Sequence, residues 1–111
     1  MTFFFDPAAR TPKELLPGVV LRTFWGDNVL LSLVDLAPGA VIPSHSHPHE
    51  QITTVVSGGL EMTIAGETRQ CNPGAVAVIP GGTAHSVVNG PEPTRVIDAF
   101  SPVREDYRFP D

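Results

Sequence analysis

Residues 39–58 read Gly-Ala-Val-Ile-Pro-Ser-His-Ser-His-Pro-His-Glu-Gln-Ile-Thr-Thr-Val-Val-Ser-Gly. Three of the chain's four histidines, His45, His47 and His49, fall within five residues of this stretch. The β-branched run Ile52–Val56 follows, so the segment reads as strand rather than helix. On a strand, residues two apart point to the same face, and His45 and His47 can aim two imidazoles at one point. A metal held there needs further ligands, and Gln51 and His85 are the nearest candidates. A lone His-x-His is a weak signal, since a polar loop beside Pro48 would look the same. The surroundings decide between the two.

Short β-rich runs recur on both sides: Val19–Trp25, Val29–Leu36, Gln51–Ser57, Leu60–Ala65, Thr68–Cys71, Ala75–Ile79, His85–Val88 and Thr94–Phe100. Turn signals such as Gly26-Asp27-Asn28, Pro38-Gly39, Gly58-Gly59, Pro73-Gly74 and Pro80-Gly81-Gly82 separate them. Eight short strands with Gly/Pro turns predict an all-β sandwich or barrel over residues 19–100. Residues 1–17 carry Pro7, Pro12 and Pro17 and are expected to be irregular, with at most a short turn at Lys13–Leu16. The polar tail, residues 101–111, is expected to lie over the barrel or its mouth. Residues 1–111 then form one domain.

Composition narrows the function classes. The chain has 111 residues, 41% hydrophobic and 17% charged, which favours a packed core over disorder. Ten glycines and twelve prolines spread along it exclude a helical bundle. A formal charge of −5 argues against binding nucleic acid or an anionic membrane surface. One cysteine, Cys71, cannot form an internal disulfide, and no stretch is apolar for long enough to span a membrane. The start, Met1 to Pro7, has an apolar Phe3–Phe5 triplet but no basic leader, so a cytoplasmic address is expected.

The glycines around the histidines supply the decisive pattern. From Gly39 there are five residues before His45, one before His47, three before Gln51 and six before Gly58. From Gly74 there are five to Pro80, one to Gly82, two to His85 and three to Asn89. These blocks resemble the two paired motifs of the cupin superfamily, and nine of the ten marked positions carry the family's residue. The resemblance implies a double-stranded β-helix of jelly-roll type with one divalent transition metal (Zn, Ni, Fe, Mn or Cu) inside the barrel mouth. It implies His45, His47, position 51 and His85 as the ligands. Independently, Gly39, Gly58 and Gly82 fall in turns where positive φ is the usual demand, and Pro80 pre-sets the turn before His85.

The tenth position departs from the pattern: the family's Glu is Gln51 here. Gln51 can ligate through its amide oxygen, Glu50 can substitute through a bulge, or the metal can have been lost. The first is favoured, because Glu50 on a regular strand points to the opposite face. Three neutral imidazoles and an amide leave a divalent charge uncompensated, which favours an anionic ligand and Lewis-acid chemistry. His49 has the parity of His47, but Pro48 bends the chain between them, and a rim position is expected.

A His-x-His-x-x-x-Gln motif with a tail reading Asp98-Ala99-Phe100-Ser101-Pro102-Val103-Arg104-Glu105-Asp106 is similar to the small pectin-degradation cupins that linearise 4,5-unsaturated uronates. By that resemblance Asp98 moves protons, Arg104 holds the substrate carboxylate and Phe100 walls the sugar ring. The residue chemistry agrees. Asp98 and Phe100 share strand parity, and Arg104 offers a planar fork matching a carboxylate. Alternatively, Asp98 and Arg104 pair with each other. A metal-dependent isomerase of a small anionic uronate is therefore expected, against a cupin dioxygenase using iron or nickel and a non-catalytic binding cupin. Cys71 reads as a small filler. Trp25, Phe24 and Phe3–Phe5 exceed what so small a barrel can cover, so a homodimer interface is expected, with an ordered N-terminal arm as the alternative cover. Val29–Leu36 and Ala75–Ile79 are apolar on both faces, as for strands between two sheets or between subunits, and read as core.

Overall fold

The computed structural model describes residues 3–109. Among the described residues there are ten strands: β1 (Lys13–Leu16), β2 (Val19–Trp25), β3 (Leu30–Leu36), β4 (Val41–His45), β5 (Glu50–Ser57), β6 (Leu60–Ile64), β7 (Glu67–Cys71), β8 (Val76–Ile79), β9 (His85–Asn89) and β10 (Thr94–Ser101). They form two antiparallel sheets, β1-β2-β3-β10-β5-β8 and β4-β9-β6-β7. This is the jelly-roll arrangement expected. No helix among the described residues is long and apolar enough to cross a membrane.

The core lies between the sheets and follows the period of two. On the six-stranded sheet the inward residues stack in four levels read from the strand register. The lowest holds Val19, Leu36 and Thr94. The next is apolar: Leu21, Val34, Val96 and Val55. The third is polar: Thr23, Ser32, Asp98 and Thr53. The highest holds Leu30, Phe100, Gln51 and Ile79. Opposite them, Leu60, Met62 and Val87 close the apolar floor. Polar side chains thus meet at one end of the barrel, above a hydrophobic base.

Two elements differ from expectation. Lys13–Leu16 is not a turn in an irregular arm but β1, an edge strand paired with β2. Val41–His45 is also a strand, pairing with β9 through an irregular register that accommodates Pro43 at the sheet edge. The apolar runs at residues 29–36 and 75–79 are core on one face only. Their outward residues Leu31, Val76 and Val78 are 38%, 65% and 58% exposed.

The turns behave as the glycines required: φ is +72° at Gly39, +86° at Gly58 and +80° at Gly82. As far as Phe109 the tail folds onto the barrel: Arg104 and Tyr107 line the cavity, and Val103 and Tyr107 are buried in the core. The hydroxyl of Thr23 donates to the Tyr107 carbonyl oxygen at 2.6 Å and pins it. Cys71 is a partly buried residue packed against the core.

Candidate metal centre

The two sheets and one loop converge at the polar end. β4 and β9 bring His45 and His85 directly opposite each other in register. His47 follows β4 in the loop to β5, and a contact between the two motif loops seats it. The Gly82 amide donates to the His47 carbonyl at 2.8 Å, and a Cβ on Gly81 would land on the carbonyl oxygen of Pro48. One ring nitrogen from each of His45, His47 and His85 can be chosen so that all lie within 4.8 Å of one another.

The tautomers follow from the hydrogen bonds. Nδ1 of His45 lies 2.9 Å from the Pro43 carbonyl, that of His47 3.1 Å from the His49 carbonyl, and that of His85 2.8 Å from the Thr83 carbonyl. A carbonyl oxygen only accepts, so each Nδ1 carries the proton and each Nε2 presents a lone pair. This is how metal-ligating histidines are held. His85 Nε2 is buried with no hydrogen-bond partner among the described residues. His47 Nε2 faces the Gln51 amide oxygen at 2.9 Å, two acceptors toward one another. A cation between them reconciles both observations. An imidazolium would do so less well, because burial lowers the pKa of His47 and of His85, aided by the charges of Arg104 and neighbouring histidines. The donor set therefore fits a divalent ion, with imidazoles and an amide oxygen as ligands.

Gln51, not Glu50, turns inward: Gln51 is buried and Glu50 exposed, as the parity of β5 demands. Asp98 lies beside it on β10. Burial pushes the Asp98 carboxyl up to about 6, against the hydrogen bonds from Thr53 and Gln51 and the Arg104 charge. Phe100 is buried, with its ring 5.5 Å from that of His47. Arg104 does not pair with Asp98. Its Nε donates to Asp106 at 3.3 Å, and its guanidinium lies 3.8 Å from the centre of the Tyr107 ring and 5.2 Å from that of Phe100. His45, Gln51, His85, Asp98, Phe100 and Arg104 all line one cavity at the mouth. His49 is half-buried, its ring 5.5 Å from that of His47 and its Nδ1 buried with no hydrogen-bond partner among the described residues.

Two residues of the site are additional to those expected. Thr53 accepts from Gln51 and donates to Asp98, and Tyr107 supports the Arg104 guanidinium. Thr53 was accessible from parity alone, since it lies two residues from Gln51 on the same strand. For Tyr107, no local pattern marks a tail residue that folds back.

Comparison with known proteins agrees with this geometry. Residues 32–100 match the family model described as a cupin domain. The pectin degradation protein KdgF of Dickeya dadantii is 34% identical over 108 residues, covering 95% of this chain and 96% of that protein. The structure of KdgF from Halomonas sp. superposes with a TM-score of 0.89 at 32% identity, over 96% of this chain and 98% of that one. An RmlC-like cupin from Shewanella frigidimarina superposes with a TM-score of 0.90 at 23% identity, over 96% of each chain, and shows the fold alone. With the paired motifs, the two-sheet barrel and the converging histidines all in place, the chain belongs to the cupin family.

Proposed function

We propose that the protein is a metal-dependent isomerase that linearises a 4,5-unsaturated uronate, a small anionic substrate. The observation that carries the reading is the placement of Asp98 and Arg104 in the same cavity as the converging imidazoles of His45, His47 and His85. These three imidazoles and the Gln51 amide oxygen would hold one divalent transition ion. Such an ion supplies Lewis acidity, polarising substrate oxygens bound beside it.

The chain's own residues do the rest. Arg104 pairs with the substrate carboxylate, its guanidinium plane steadied on Tyr107. Phe100 forms the apolar wall that excludes water on one side of the sugar. Asp98 moves the proton: linearisation takes one from a ring hydroxyl, opens the ring C–O bond and returns one to carbon. Nothing is added or lost, so the reaction is an isomerisation. A carboxyl that titrates near pH 6 both accepts and donates readily near neutrality. The similarity to KdgF, a pectin degradation protein, supports the same substrate class.

We further propose that the protein is a homodimer. The outer face of the six-stranded sheet carries an apolar cross-strand row, Phe24, Leu31, Ala99, Ile52 and Val78. Ile52 and Val78 on it are 44% and 58% exposed, and the Phe5 ring packs 5.8 Å from Phe24 at its end. So large an apolar surface favours burial against a second copy.

The test is the ultraviolet absorbance of a 4,5-unsaturated galacturonate mixed with the protein, before and after chelator treatment. Loss of the conjugated absorbance with metal, abolished by chelation and restored by metal, is expected. No loss with metal-replete protein would remove the uronate assignment. Oxygen uptake with an aromatic diol or diketone would then point to a dioxygenase.

A further inference from the structure

Thr53 sits between two residues of the site with no part yet in its chemistry. It is 3% exposed and faces the barrel interior from β5. The Gln51 side-chain nitrogen lies 2.9 Å from Thr53 Oγ1, and that oxygen lies 2.6 Å from Asp98 Oδ1. The directions of both bonds follow from the donor inventory. An amide nitrogen only donates, so Thr53 Oγ1 accepts from Gln51. The hydroxyl's single proton is then free for the Asp98 carboxylate. With its nitrogen turned to the acceptors Thr53 Oγ1 and the Asp98 carboxylate behind it, Gln51 presents its oxygen to His47 Nε2, 2.9 Å away.

We propose that Thr53 is a positioning residue that fixes the polarity of the Gln51 amide, oxygen toward the histidines, while holding the Asp98 carboxyl in place, and that this pairing selects glutamine over glutamate at position 51. The inference rests on the metal-centre reading given above. A glutamate has no hydrogen to give Thr53. One hydroxyl proton cannot serve carboxylates on both sides, and the unmet acceptor would be buried at a cost. Glutamine supplies the missing hydrogen, and Thr53 passes the direction on. Gln51 and Thr53 are thus a matched pair, and the departure from the family's glutamate has its explanation two residues along the same strand.

The test compares the wild-type chain with Thr53→Val, which keeps the shape and removes the hydroxyl, and Thr53→Ser, which keeps the hydroxyl. In metal-free protein the Gln51 side-chain NH2 is followed by 15N–1H NMR, assigned by its disappearance in Gln51→Glu. Thr53→Val is expected to shift this signal and speed its hydrogen exchange, and Thr53→Ser to restore it. With Cu2+ as the probe, Thr53→Val is expected to bind about 10- to 100-fold more weakly, the range for losing a partner that orients a ligand. Its electron paramagnetic resonance hyperfine pattern is expected to change as the amide reorients, with Thr53→Ser again like wild type. A Thr53→Val protein with unshifted Gln51 signals and unaltered Cu2+ affinity and spectrum overturns the proposal. Where Thr53→Val does not fold, Thr53→Ser and Thr53→Ala decide: equal behaviour of the two overturns it, and serine alone matching wild type supports it. Failure of the wild type itself to bind Cu2+ counts against the metal centre, and the metal-free NMR comparison then judges Thr53 separately.

Discussion

Replacing Asp98 by Asn should change how stability responds to pH in chelator-stripped protein. The Asp98 carboxyl is displaced from its ordinary 3.8 to about 6 by burial. Each factor of ten in proton affinity corresponds to about 1.4 kcal/mol, so this displacement is worth about 3 kcal/mol at most. The folded pKa lies above the unfolded one, so the folded state holds this proton more tightly. Asp98 therefore costs nothing below about pH 4. Its cost grows as pH rises through 4 to 6 and is constant above. The amide has no proton to lose. Urea denaturation of wild type and Asp98→Asn from pH 4 to pH 8 isolates the effect, because every other carboxyl titrates alike in both. The stability difference should move by about 2–3 kcal/mol in the variant's favour across that interval, whatever constant offset the amide adds. A difference that stays flat with pH, or moves the other way, refutes the account of Asp98 as a carboxyl held against its solvation. Buried charge tolerated at such cost is the kind of feature found at sites of proton transfer.

Three further outcomes follow from named contacts. Gly58→Ala should destabilise by about 2–4 kcal/mol in thermal or urea melts, because φ is +86° and the new methyl would meet Thr94 and the Pro93 carbonyl; a loss under about 0.5 kcal/mol would contradict the packing at that turn. Arg104→Ala should raise KM for the unsaturated uronate about 10- to 100-fold with a smaller change in kcat, the value of a charge-assisted pair, and an unchanged KM counts against its carboxylate role. Val78→Asp, on the exposed outer face, should convert a dimer to monomer in sedimentation or light scattering without altering the far-ultraviolet circular dichroism; an unchanged mass removes that face from the interface.

Much of this site can be read from the chain because its information is local. His45, His47, Gln51 and His85 are spaced against glycines that the turns need, and period-two alternation alone separates Gln51 from Glu50. Asp98 and Phe100 share an inward face for the same reason. Where the reading fell short, the cause was context. Pro43 hides β4, since a proline inside a run argues against a strand unless the strand lies at an edge, and edge position is a property of the assembled sheet. Lys13–Leu16 is only four residues between two prolines, and pairing with β2 makes it a strand. Runs apolar on both faces read as core or as strands between subunits, yet in the single chain Leu31, Val76 and Val78 face outward. Tyr107 meets Arg104 locally, across one turn of the chain, but joins the barrel only where the tail folds back onto the hydroxyl of Thr23, 84 positions away.

The alternation of β5 and β10 has a consequence for how this protein can vary. On β5, Gln51, Thr53 and Val55 face the cavity while Ile52 and Val56 face outward; on β10, Val96, Asp98 and Phe100 face in while Arg95 and Ser101 face out. Adjacent codons therefore write to opposite sides of a layer one backbone thick. A mutational library confined to positions 52, 54, 97 and 99 can remake the exterior, and with it solubility and self-association, while the reacting surface keeps its lettering. A library at positions 51, 53, 98 and 100 does the reverse, altering selectivity behind an unchanged coat. Two neighbouring residues of one strand can thus drift under separate pressures for as long as the register between β5 and β10 holds.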